Sequence, residues 1–182
     1  MNRQLPLFDT QLPRTQWETA LVPGMEFHRD FLSREEQQHL LQQIDLQPWV
    51  NDFDRKAQFY HRPFPAFGLE LLGKLFARKL ISGIPEHMSV LSYEAGVGIG
   101  HHVDRGETEQ ITIISLAHEY EMDLRHGISA QQKSLMLELG SVLILKGEAR
   151  WEWEHGIRPR LTDHGIPRQR RISITFRNAL ST

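Results

Sequence analysis

The hydrophobic period changes part-way along the chain. In FLSREEQQHLLQQI, Leu40, Leu41 and Ile44 recur at helical spacing behind Ser33, and Glu36 stands three residues after that serine, the signature of a capped helix. In GLELLGKLFARKLISG, Leu69, Leu71, Leu72, Leu75, Phe76 and Leu80 predict a second helix from about Leu69 to Ile81. Beyond Pro85 the stretches HMSVLSYEAG, QITIISLA, EMDLRH, KSLMLEL, SVLILKG and RRISITFR are short, β-branched or alternating, and separated by Gly- and Ser-containing turns. Two helices followed by a run of strands, without helix–strand alternation, predict a mainly β (α+β) fold. An antiparallel sandwich, barrel or jelly roll fits, with the helices buttressing a sheet.

At 182 residues the chain suits one domain. It divides into an irregular arm over 1–22, a helical support over 23–87 and a strand-rich core over 88–182. The absence of cysteine removes disulfides and thiolate metal sites, so any metal must be held by imidazole and carboxylate. No apolar run approaches the ~18 residues that span a bilayer, and the first residues lack a secretory apolar stretch. The expectation is a cytoplasmic monomer without a membrane partner. A net charge of -2 gives no global field for nucleic acid. Residues 146–177, however, hold eight Lys or Arg against four acids, which is either a polyanion-binding patch or a solvated basic face.

Among ten histidines there are two His-x-Asp triplets. His28-Arg29-Asp30 leads into the capped helix without partners of the right type, which fits a surface or capping role. His102-Val103-Asp104 ends a strand, where residues i and i+2 point to one side with Cα atoms roughly 6.5 to 7 Å apart, so both can reach one ion. A set of two His and one carboxylate leaves positions open for other ligands. The third donor must come from elsewhere, and His155 in WEWEHGIRP is the candidate; a histidine packed between Trp151 and Trp153 is the alternative. In RRISITFR, alternation puts Ile172, Ile174 and Phe176 on one face and Arg171, Ser173, Thr175 and Arg177 on the other. Two inward guanidiniums would need an anion; otherwise this is an edge strand with a wet outer face.

Taken in this order, His102-x-Asp104, His155, Arg171 and Arg177 resemble the AlkB family of Fe(II)- and 2-oxoglutarate-dependent dioxygenases. SYEAGVGIGHHVD, GSVLILKGEARWEWEHGIRP and RRISITFR carry the similarity over about residues 88 to 178, and RKAQFYHRPF is a looser echo of the family's substrate-covering lid. Loop texture is similar to the members acting on tRNA wobble uridines. The resemblance implies a double-stranded β-helix in which His102, Asp104 and His155 bind Fe(II). It also implies that 2-oxoglutarate chelates that iron, with Arg171 and the Tyr93 hydroxyl on its distal carboxylate and Arg177 near its C1 carboxylate. Fe(II), 2-oxoglutarate and O2 would together hydroxylate a substrate C–H bond, and an N-methyl group would leave as formaldehyde. Leu91 stands where the family usually has Asn and cannot hydrogen-bond a carboxylate. His101 points opposite to His102, which fits a structural or lid role. Gly96, Gly98 and Gly100 suit a tight, bulged approach to the site better than a phosphate loop, since no helix follows.

The leading functional expectation is oxidation of an alkylated base in RNA or single-stranded DNA, with Arg55, Phe59 and Tyr60 of the lid, and Phe53 beside them, as candidate substrate contacts. The same chemistry on a protein side chain or small molecule, or a metal-binding jelly-roll module without turnover, are the alternatives.

Overall fold

The computed structural model describes residues 22–104, 106, 108–129 and 131–179. The arm expected over 1–22 lies outside these residues except for its last, Val22. The elements in chain order are β1 (Met25–His28), α1 (Arg34–Asp45), β2 (Val50–Asp52), β3 (Arg55–His61), α2 (Ala66–Ala77), β4 (His87–Tyr93), β5 (Ile99–His102) and β6 (Thr108–Leu116). They continue with β7 (Tyr120–His126), β8 (Gln132–Leu137), β9 (Val142–Leu145), α3 (Glu148–Trp151), β10 (Trp153–Ile157), β11 (Thr162–Asp163), β12 (Ile166–Pro167) and β13 (Arg171–Ala179).

Two antiparallel sheets face each other. The larger runs β1-β9-β6-β13-β4-β3-β2 and the smaller β5-β10-β7-β8, the layout of a jelly roll. The strands β9 and most of β6 in the large sheet are buried on both faces, which explains their near-continuous apolar runs, whereas β4 and β13 alternate and the edge strands β2 and β3 are partly exposed. Val142, Ile144, Ile114, Ile172, Ile174 and Phe176 pack outward against Leu40 and Ile44 of α1 and Phe67, Leu71 and Leu75 of α2. Leu143, Leu145, Ile111, Ile113 and Tyr93 pack inward against Met122, Leu124, Leu135 and Ile157 of the small sheet. Among the described residues no helix is long and apolar enough to cross a membrane.

Ser33 and Glu36 form the reciprocal capping box at α1. The second helix sits about three residues earlier than its hydrophobic spacing suggests, at Ala66–Ala77 rather than from Leu69 to Ile81. Pro65, with its fixed φ, occupies the N-cap. At the other end Lys79 takes φ 56°, and the Leu80 and Lys79 amides return to Leu75 and Phe76, a Schellman closure built without the usual glycine. The strand-rich half also contains one turn of helix, α3, which carries a residue important to the site.

Candidate metal centre and cosubstrate cavity

The metal-ligand candidates are brought together by strand register. β5 and β10 pair antiparallel with His102 directly opposite His155, so the two rings lie side by side at a centroid separation of 4.5 Å. Asp104 follows two residues after the end of β5, and the donor atoms of His102, Asp104 and His155 all fall within 4.8 Å of one another. The close approach of β5 to the chain after β10 demands glycine at position 98. A Cβ there would stand 2.2 Å from the Ile157 carbonyl oxygen and 2.8 Å from the Pro159 nitrogen. His101 points to solvent. The other triplet stays apart: His28 lies 3.4 Å from Glu26, and Asp30 occupies a turn at φ 52°.

The chemistry of the triad suits a divalent cation. His102 Nδ1 lies 2.9 Å from the Gly100 carbonyl, the position of a donating N–H, which leaves Nε2 facing the Asp104 carboxylate at 3.2 Å. In a neutral imidazole those atoms would oppose two lone pairs, an arrangement that a proton or a metal between them relieves. The hydrogen bond to Asp104 accordingly raises the His102 pKa. Burial works against charge on Asp104, but the His102 hydrogen bond and the Arg177 charge prevail and hold its carboxyl far below the usual range. His155 is deeply buried, and desolvation pulls it down to about 4, leaving it a neutral imidazole at pH 7. Two imidazoles and one ionised carboxylate form the donor set of Fe(II) oxygenase sites.

Three side chains hold the ligands in place. Arg177 Nε donates to Asp104 Oδ2 at 2.8 Å while its Nη1 donates to Ser89 Oγ at 3.0 Å. Arg177 thus lies behind the aspartate as its charge partner. Arg150 on α3 is 1% exposed; its Nε donates to the Thr108 carbonyl at 2.9 Å and its Nη2 to the Asp104 carbonyl at 2.8 Å. It clamps the chain between β5 and β6 to the helical turn just before the strand of His155. Sequence reasoning did not find Arg150, since one arginine after GEA carries no periodic signal. Ser89 was legible in principle, because alternation along β4 puts it on the face of Leu91 and Tyr93.

A cavity runs from the triad along β13, lined by Leu91, Tyr93, Ile113, Met122, Ser173 and Arg171 among others. Leu91 faces Ser173 across the β4–β13 pair and forms an apolar wall. At the far end Arg171 is 1% exposed, with Nη2 donating to Ser115 Oγ at 2.9 Å and Nε without a partner. Its guanidinium lies over the Tyr93 and Tyr120 rings at 5.5 and 6.0 Å. No acid among the described residues pairs with it, and burial pulls its pKa down to about 10. A buried cation lacking an anion, aimed along a cavity that ends at a cation site, fits a small dicarboxylate.

The lid candidates divide. Phe59 is 60% exposed and lies opposite Ser89 on the cavity side, and Phe53 at the β2–β3 turn is 95% exposed. Arg55 packs over the Tyr93 ring at 5.6 Å and pairs with Asp52 at 2.7 Å. Tyr60, next in sequence to Phe59, must point the other way in a strand, and its ring meets Phe67 of α2 edge-on at 6.0 Å. The basic excess over 146–177 forms no open patch. Lys146 meets Glu26, Arg158 meets Asp123, and Arg160 and Arg168 meet Asp163. Arg170 meets Asp45 and Arg177 meets Asp104, while Arg150 and Arg171 are buried.

Fold and site together define a jelly-roll metalloprotein with a two-histidine, one-carboxylate centre and a buried arginine at the end of its cavity. Residues 51–177 match the 2OG-Fe(II) oxygenase superfamily, and the chain belongs to that family. It is 30% identical over 179 residues to the uncharacterized protein L905 of Acanthamoeba polyphaga mimivirus, covering 86% of this chain and 85% of that one. It is 31% identical over 170 residues to the tRNA (carboxymethyluridine(34)-5-O)-methyltransferase alkbh8 of Xenopus tropicalis, covering 79% of this chain but only 26% of the relative. The structure of OsALKBH1 superposes with a TM-score of 0.68 at 18% identity, over 87% of this chain and 99% of that one. A Pseudomonas putida prolyl-4-hydroxylase does so with a TM-score of 0.64 at 12% identity, over 87% and 94%. At these identities the two structures attest the fold alone.

Proposed function

We propose that this 2-oxoglutarate-dependent Fe(II) dioxygenase acts on an alkylated base in RNA or single-stranded DNA. Fe(II) bound by His102, Asp104 and His155, with 2-oxoglutarate and O2, supplies the oxidising power that hydroxylates a substrate C–H bond. The protein's part is positional. Arg177 and Arg150 fix the aspartate, and the Gly100 carbonyl fixes the His102 tautomer. Arg171 and Tyr93 take the distal carboxylate of the cosubstrate, and the apolar walls of Leu91, Ile113 and Met122 exclude water from its chain.

The observation that carries the substrate assignment is Phe59. It is a large exposed ring on the cavity side, directly across from Ser89, whose hydroxyl takes the arginine that braces Asp104. A ring so placed offers a stacking platform for a flat base. Two relatives carry names in keeping with this: the Xenopus tRNA methyltransferase and an Arabidopsis thaliana protein called an alkylated DNA repair protein ALKBH8 homolog. The neutralised basic cluster favours a second reading, a less anionic substrate such as a protein side chain. Succinate release with methylated RNA, methylated single-stranded DNA and peptides separates the two. Stimulation by nucleic acid but not peptide supports the first reading, and the reverse overturns it.

A further inference from the structure

We propose that His61 and His87 form a second metal site, specific for borderline divalent ions such as Zn(II), Ni(II) or Cu(II). The two residues are direct partners in the β3–β4 register, so both side chains leave the sheet on the same face. Their rings stand 4.6 Å apart between centroids at an interplanar angle of 83°, and both are exposed. Most other described histidines are committed. His28 meets Glu26, His118 the Glu119 carbonyl, His126 the turn amide of Ser129, and His164 Glu121. His61 and His87 have each other: no hydrogen bond joins either ring to a described group, leaving their nitrogens available.

The surroundings favour a cation over a structural explanation for the pair. The acid beside it, Glu86, is tied to Arg62, and Arg177, the partner of His87 on β13, is tied to Asp104. Neither charge is hydrogen-bonded to the imidazoles. Imidazole ligands suit Zn, Ni and Cu, whereas the carboxylate-containing triad suits Fe(II). Two protein ligands leave the remaining positions to water, so the ion exchanges readily. The pair terminates the cavity-side row of Tyr93, Leu91, Ser89 and His87, and lies two residues beyond Phe59 on β3. An ion there stands beside the surface assigned above to substrate, but its binding does not depend on that assignment.

A four-protein comparison tests the site. Metal-free wild type, His61→Ala, His102→Ala with Asp104→Ala, and the triple variant are titrated with Zn(II) at pH 7.5 by calorimetry. Melting curves run alongside: the exposed His61 and His87 substitutions stay within about 0.5 kcal/mol, whereas removing the buried Asp104 costs more, so a retained cooperative transition is required of that variant before its stoichiometry counts. The expected stoichiometries are two, one, one and none. In the His102/Asp104 double variant, Cu(II) electron paramagnetic resonance should show coupling to two imidazole nitrogens that His87→Gln reduces to one. A single equivalent in wild type, abolished by the His102/Asp104 substitutions, overturns the proposal. So does binding in the double variant that ignores His61→Ala, whatever the outcome of the substrate assays.

Discussion

Arg150→Ala isolates the support of the metal loop without touching a ligand. The side chain makes two hydrogen bonds from a buried cation to carbonyls, at 2.9 and 2.8 Å. Bonds of that kind contribute roughly 1.5–3 kcal/mol each, so their loss costs about 3–6 kcal/mol. Against this, Nη1 is buried without a partner, and removing a desolvated charge offsets part of the loss, leaving a net cost of about 1–3 kcal/mol. For a chain of this size that is a fall in Tm of roughly 2–12 °C. The effect on metal is separate: an outer partner that orients a ligand is worth about 10–100-fold in affinity, or ~1.4–2.7 kcal/mol. Anaerobic titration with Mn(II), followed by calorimetry, reads the affinity, and a melting curve on the same sample reads the fold. Arg150→Lys can satisfy one carbonyl and should fall between wild type and alanine. Metal affinity within threefold of wild type in a folded Arg150→Ala protein would refute the positioning role and leave Arg150 a packing residue.

Arg171→Met replaces an unneutralised buried cation with an apolar side chain of similar length. Apo stability should be unchanged or higher, while 2-oxoglutarate binding to the Mn(II)-loaded protein weakens by at least about 30-fold. A lowered Tm with cosubstrate affinity intact contradicts the cavity assignment. His155 has its folded pKa depressed to about 4 from 6.5, so its contribution is fully present above pH 6.5 and is lost as pH falls toward 4. Metal-free wild type should therefore lose stability over that window more steeply than His155→Asn; parallel melting curves for the two proteins count against it. Phe59→Ala should change stability by no more than about 0.5 kcal/mol, whereas Tyr60→Ala should cost about 2 kcal/mol or more. Substrate-stimulated turnover should fall with the first; a fall equal in both, matched to stability, argues against a stacking role.

How far the sequence reaches depends on the range of the signal. β13 was legible because its period of two is local: Ile172, Ile174 and Phe176 face the helices, while Arg171 and Arg177 face the cavity. The triad was legible through an unusual triplet plus family order, although the contact itself is the non-local pairing of His102 with His155. Weak periodicity hid β1 and the β2–β3 hairpin, which are specified by partners rather than by their own pattern. The far end of α2 was overrun because Lys79, not glycine, adopts the left-handed closure. Charge counting failed for a related reason. The eight cations at 146–177 look unbalanced in a linear window, yet their acids, Glu26, Asp45, Asp104 and Asp123 among them, arrive from other parts of the fold.

That pairing leaves one informative exception. Two arginines on the same face of β13 meet opposite electrostatic fates: Arg177 is neutralised by Asp104, and Arg171 is buried with only a serine hydroxyl and aromatic faces around it. A fold that retained Arg171 for stability alone would do better with a hydrocarbon side chain in its place. Neutralising Asp104 with Arg177 leaves the charge of a bound Fe(II) largely uncompensated, so in the proposed reading cations stand at both ends of the cavity. A dianion with a carboxylate at each end satisfies both at once, whereas a monoanion leaves one exposed to the low dielectric of the interior. Selectivity for a dicarboxylate cosubstrate therefore follows from where the protein withholds an acid, and Leu91, which supplies no hydrogen bond, leaves Arg171 to carry more of it.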